Sequence, residues 1–384
     1  MRLVLCSLLA AALPVAAQQV PTRALTRADA EYAEPFDQIY ALRELSDGRL
    51  LVTDLGPKAV LLVDFRQATP RTVGRNGQGP GEYQFPGDLL PWHGDTVLMV
   101  DRVSRRLLVV TPDGKVGRSI PYPEGVGGVP DVRGADDKGR VYLQGSQFGG
   151  GPGQFELGGA VPDTVPLLRW DVASGKVDTV ARVKVPAVKV QTSGGQNNRT
   201  VMIRSQPFAE SDDWAVLPDG RVAIARVGGF RMELAGAGAA AEGTPVPYEK
   251  LKVTGADKEA YLGAMRSSRN RITVTAGGGG GGGASSSRQQ GPPEVTAADF
   301  DWPEYKPPFG SRSLRATPEG ELWLVRSTPA SDSTPVVDVF NARGVRTGRV
   351  TLPLGRRVVG VGRGVVYAVR TDDDGLQWLE RYRR

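Results

Sequence analysis

The stretch that decides the fold is residues 74–120, GRNGQGPGEYQFPGDLLPWHGDTVLMVDRVSRRLLVVTPDGKVGRSI. A Gly/Pro-rich loop opens it. Four short runs of alternating apolar residues follow, at 89–92, 97–100, 107–110 and 116–120, with Gly- and Asp-containing turns between them. Alternation with period two marks half-buried strands, and turns of two to five residues join antiparallel neighbours. The stretch therefore predicts one four-stranded meander.

Working outward, a turn ending in Gly followed by a strand recurs five more times. It reads SDGRLLVTD at 46–54, HGDTVLMVD at 93–101, DDKGRVYLQG at 136–145, LPDGRVAIAR at 217–226, TPEGELWLVR at 317–326 and GRGVVYAVR at 362–370. Gly48, Gly94 and Gly139 stand roughly 45 residues apart, as do Gly320 and Gly364, which is the length of one propeller blade. The fold class expected is therefore all-β: a six-bladed β-propeller of four-stranded antiparallel blades. The blades fall at 37–73, 87–120, 131–183, 212–253, 312–353 and 356–382. The sixth has only three strands of its own, and residues 20–29 alternate suitably to supply the fourth. Such N-to-C closure removes exposed sheet edges.

The residues beyond six blades fall in one loop between second and third strands, near 145–165, and two links between blades, near 186–211 and 255–310. Strand order sends all three to one face, where function is commonly carried. Within 255–310, Thr254 to Asp257 has the form of a capping box before a short helix over 258–266. Residues 277–283 are seven consecutive glycines. No helix or Lys follows to make a phosphate loop of them, so they read as a linker.

Outside the propeller, Arg2, an apolar core at 3–13 and the small residues 15–17 form a signal peptide. The sole cysteine, Cys6, lies in that segment, so residues 18–384 hold no thiol for disulfide, nucleophilic or metal chemistry. No later run is long enough to span a membrane. The expected protein is exported (periplasmic or extracellular) and monomeric. Its net charge of +6 comes from spread-out Lys and Arg, without a motif for nucleic acid.

Residues 74–120 resemble an NHL repeat, and the chain is similar to exported bacterial six-bladed propellers of the NHL/TolB-like kind. Asp101, Arg106 and the turn at 112–114 stand at the matching positions. That resemblance implies a propeller fold shared by binding modules, scaffolds and some metal-dependent lactonase- or lyase-like enzymes. It does not choose among them.

Candidate site residues come from aligning the first strands of the blades. Asp88, Asp131 and Asp212/Asp213 begin those of blades 2, 3 and 4, and Arg312 and Arg356/Arg357 begin those of blades 5 and 6. First strands line the axial channel of a propeller. Acids on one arc and arginines on the other could hold a hard cation, with Asp88, Asp131 and Asp213 as ligands of Ca2+, or clamp a carboxylate. Solvated loop charge is the plainer alternative. Asp54 and Asp101 read as turn caps rather than metal ligands. His93, the sole histidine, reads as a turn residue. The six tryptophans read as packing between blades, with Trp302 as the one to consider for ligand stacking. The function expected is a binding module that holds a peptide, glycan or protein partner on the loop-bearing face. The alternative is a Ca2+-dependent lactonase-, hydrolase- or lyase-like enzyme at the channel mouth.

Overall fold

A computed structural model describes residues 20–127, 130–147, 161–193, 200–236, 241–271 and 295–384. The expected signal peptide and the seven-glycine run lie outside the described residues. Six antiparallel sheets follow one another along the chain, each carrying its first strand innermost. Blade 2, for instance, runs Pro86–Pro91, Val97–Asp101, Arg106–Val110 and Val116–Pro121. The inner strands neighbour one another in sequence order, and Arg356–Gly362 of blade 6 returns to Ile39–Glu44 of blade 1. The ring is closed. This is a six-bladed β-propeller.

Local chemistry accounts for the repeat. The marker glycines from Gly48 to Gly364 all take positive φ, between 62° and 89°, a conformation that costs other L-residues a steric penalty. The second strands that follow are apolar on both sides: Leu50–Asp54 and Val97–Asp101 are buried throughout. That is the pattern of a sheet packed on both faces. The core is accordingly divided. Six apolar clusters occupy the six blade–blade interfaces, such as Leu51, Val73, Tyr83 and Met99 between blades 1 and 2. Trp92, Trp170, Trp214 and Trp323 are buried in them.

Asp54 and Asp101 staple each blade to its own approach loop. Asp54 accepts from the backbone N–H groups of Asp37, Gln38 and Gly56 at 2.7–3.3 Å. Asp101 accepts from those of Gln84 and Phe85 and pairs with Arg106 at 3.1 Å. His93 is exposed in its turn, against Trp92.

Closure differs from expectation in register. The fourth strand of blade 6 is Ala30–Glu31, paired with Gln377–Arg383, rather than residues 20–29. Thr22–Ala24 lies parallel to Arg346–Thr351 as a fifth strand of blade 5. Side-chain size decides this. Tyr32 and Phe36 bury between blades 6 and 1, whereas Leu25 fills the interface of blades 5 and 6. The N-terminal segment thus clasps two blades.

Between blades 4 and 5 the capping box forms. Asp257 N–H donates to Thr254 Oγ1 at 3.3 Å, and Thr254 N–H donates to Asp257 at 2.9 Å. The helix runs Gly255–Arg271, longer than expected at both ends. The Asp257 carboxylate also pairs with Lys306 at 2.5 Å and accepts from Ala330 N–H at 2.8 Å, which ties the helix start to blade 5. Leu262 is buried, and Tyr261 meets Phe208, Phe300 and Trp302. Among the described residues no helix is long and apolar enough to cross a membrane.

Candidate binding site in the channel

The inner strands surround a cavity of about 700 Å³ that contains residues of all six blades, among them Tyr40, Asp88, Arg133, Trp214, Arg312 and Arg357. Residues 311–313, with Arg326, Thr328, Ser333 and Pro335 of blade 5, line its mouth, at the end of the ring where the first strands begin.

An ion-pair ladder crosses that mouth. Arg312 grips Asp88 with two bonds, of 2.7 and 3.2 Å, and also pairs with Asp131. Arg133 pairs with Asp131 at 2.7 Å and with Asp213. Asp213 is fully buried and accepts the N–H of Leu314 at 2.7 Å, which joins blade 4 to the inner strand of blade 5. Arg312 has a left-handed backbone, φ 57°, an uncommon state for a residue with a long side chain. Tyr40 lies under its guanidinium, 5.2 Å from ring centroid to Cζ, and donates its hydroxyl to Asp88 at 3.3 Å. Arg102 donates to that hydroxyl in turn at 3.1 Å.

The electrostatics follow from these contacts. Burial pushes Asp131 up, but Arg133 and Arg312 together outweigh it and hold the carboxyl below its ordinary range. Burial lowers Arg312, yet Asp88 and Asp131 raise it above the usual guanidinium value. Burial, with Asp88, pushes the Tyr40 phenol up to about 12. Within the ladder, Asp131 is thus favoured as the carboxylate and Arg312 as the guanidinium at neutral pH.

Of the other expected residues, Arg357 lines the cavity and donates to Gln377 Oε1 at 3.0 Å and to the Ile39 carbonyl at 3.3 Å. Arg356 pairs with Glu380 of its own blade at 2.8 Å. Asp212 does not line the cavity. It accepts from Lys184 N–H and Val227 N–H and pairs with Arg226 at 2.8 Å. Trp302 stands apart from the channel, in the aromatic cluster against the helix 255–271, with its Nε1 donating to the Ala297 carbonyl at 2.7 Å. Arg133, Arg315, Tyr40 and Arg102 are site residues missed by the sequence reading. A signal existed for the first two: an arginine at an alternating position of an inner strand otherwise made of apolar or small residues.

The metal expectation can be tested on the donor set. Asp88, Asp131 and Asp213 each accept from a guanidinium, and no three His, Cys, Asp or Glu among the described residues stand together as a metal-holding group. Calcium takes six to eight oxygens and does not share them readily with arginine. These residues do not fit Ca2+.

No family profile matches the chain, and no curated protein sequence matches it. Solved structures do. A gluconolactonase from Xanthomonas campestris is 11% identical, with 92% of this chain and 98% of that one covered and a TM-score of 0.43. Regucalcin, a calcium-binding protein of Agrobacterium tumefaciens, is 9% identical, covering 94% and 96%, at a TM-score of 0.41. A DUF4221 protein of Bacteroides vulgatus is 8% identical, covering 93% and 97%, at 0.46. The propeller itself stands on the pairing of the chain's own strands.

Proposed function

We propose that this chain is a propeller that takes a small molecule, or a protruding part of a larger one, into the mouth of its axial channel. One observation carries the proposal. A cavity of about 700 Å³ lies on the ring axis, its wall a mixture of apolar side chains and converging polar groups, arginine foremost, and its size is that of a ligand pocket. This narrows the expected peptide, glycan or protein partner to something that can enter the lumen. It also places the event where the enzymatic alternative would have it.

No catalytic step is assigned. The three carboxylates of the ladder are each paired with arginine, which suits anchoring better than proton transfer. Nor do they offer oxygens for a calcium-dependent lactonase or lyase reaction. Kinship with NHL/TolB-like propellers and export through residues 1–17 are parts of the same proposal, resting on the repeat and on the apolar N-terminal segment.

The test is a thermal-shift screen of small molecules against the protein and a Ser313→Trp variant, which places an indole in the mouth. A ligand that binds only the native state raises the midpoint by mass action. Ligands of the lumen should shift the protein and not the variant. If every hit shifts both equally, the lumen is not the site. Lactones and esters are then assayed with and without Ca2+, and turnover that needs the metal would restore the enzymatic reading.

A further inference from the structure

The charges along the lumen go further and name a class of ligand. Among the described residues, seven arginines line the cavity and only one carboxylate, Asp88, does. Four of the guanidiniums have acidic partners. Arg312 and Arg133 stand in the ladder, Arg326 pairs with Asp338 at 2.8 Å, and Arg356 pairs with Glu380. The other three do not. Arg357 donates only to a side-chain amide and a backbone carbonyl. The side chains of Arg315 and Arg43 make no hydrogen bond or ion pair among the described residues.

Resting on the channel reading above, we infer that the ligand carries an oxyanion, a carboxylate or a phosphate, and that Arg315 and Arg357 receive it. Both belong to neighbouring inner strands, Leu314–Ala316 and Arg356–Gly362. Arg315 feels Arg357 and Arg312 as like charges, with Asp213 and Asp88 opposing them from a distance, and neither Arg315 nor Arg357 has an acid bonded to its guanidinium among the described residues. Arg315 is half-buried and Arg357 is exposed, so both forks are open to a ligand, and two like charges sharing one volume repel. An oxyanion between them would relieve that repulsion and match the planar fork of each donor. Burial pulls Arg315 down to about 10, Arg357 and Arg312 add to the pull, and Asp213 opposes it. Burial lowers Arg357 as well. The remaining wall mixes aliphatic side chains such as Leu42 and Val361 with hydroxyl and amide groups such as Ser313, Thr328 and Gln377. The volume and this mixed wall suit an organic acid or phosphoester with a carbon body better than a bare ion.

The experiment is calorimetric titration of the purified protein with citrate, inorganic phosphate and, as a neutral probe, glucose. Binding of citrate or phosphate but not glucose is expected, and the stronger of the two identifies the oxyanion. Arg315→Gln and Arg357→Gln should each weaken that binding about tenfold, the worth of one charge-assisted bond. The exposed control Arg343→Gln should not. A second readout excludes a purely structural role. Without ligand, Arg315→Gln should unfold at the same temperature as the parent or higher, because a half-buried guanidinium with no bonded acid has been removed. A midpoint well below the parent would make Arg315 a structural anchor and overturn the inference. So would anion binding unchanged in the double variant. A neutral compound blocked by Ser313→Trp, with neither anion bound, would leave the channel site standing and remove its anionic class. If nothing enters the lumen, both readings fall.

Discussion

Arg312 of blade 5 holds Asp88 of blade 2 across the mouth of the channel, at 2.7 and 3.2 Å, although 224 positions separate them. In a ring of six these blades stand opposite. The pair is therefore a bar across the axis, and its partner contact to Asp131 carries it on to blade 3.

Removing the bar should cost stability and open the lumen. Arg312→Ala leaves Asp88 and Asp131 facing lumen water without that counter-charge. A buried pair broken on one side loses about 3–5 kcal/mol, but Arg312 is a third exposed, so about 1–3 kcal/mol is expected. Urea unfolding at neutral pH measures it. A change inside ±0.5 kcal/mol would mean that the bar is ornamental to the fold.

The ladder also sets an acid limit. Asp131 is depressed in the folded state, so its contribution is fully present above the ordinary carboxylate value near ~4 and is lost as pH falls through its lower, folded value. The urea midpoint of the protein should fall on acidification below about pH 5, and more steeply than that of Asp131→Asn. Parallel curves would remove Asp131 from the account.

Asp257 should act locally rather than globally. Burial raises it, but Lys306, Thr254 and the Ala330 N–H together hold it far below the usual range. Asp257→Asn should release the helix 255–271 from blade 5, costing about 2–4 kcal/mol within that unit. Limited proteolysis should then cut in this segment first, with the quenching of Trp302 altered, while the remaining propeller persists. Simultaneous loss of the whole ring would contradict a local role.

Gly134 marks how closely the inner strands approach. A Cβ there would stand 2.8 Å from Cβ of Val216 on blade 4. Gly134→Ala should cost about 1–3 kcal/mol by forcing these strands apart, measured by chemical unfolding. Calcium gives the complementary test. With the ladder acids committed to arginine, EDTA followed by millimolar Ca2+ should leave the thermal midpoint unmoved, and a rise of several degrees lost in Asp88→Asn would reverse that conclusion.

Sequence showed the ring because each blade repeats the same local devices: a turn glycine, an apolar second strand and an Asp at its end. It put Asp88, Asp131, Asp213 and Arg312 near the starts of inner strands because those strands begin at a fixed distance before that glycine. It could not show that they neutralise one another. Pairing of Arg312 with Asp88 depends on ring geometry, which brings opposite blades within one side chain's reach. The same holds for Arg315, whose importance lies in the partners it lacks. The closing strand was misplaced by a few residues because alternation alone cannot tell Val20 from Tyr32, whereas the volume of the interface between blades 6 and 1 can.

The double N-terminal clasp bears on the order in which the molecule can be made. Thr22 pairs with Arg349 and Ala30 with Arg381, so the first described strands to leave the ribosome find their partners only when nearly the whole chain has followed. Contacts spanning such separations carry the largest loop-closure entropy and form late. Until then the outer edges of blades 5 and 6 stand open, and the ring behaves as an unfastened belt rather than a wheel. Shutting comes in two late steps, the first once residues 349–351 are made and the second once residues 380–381 are.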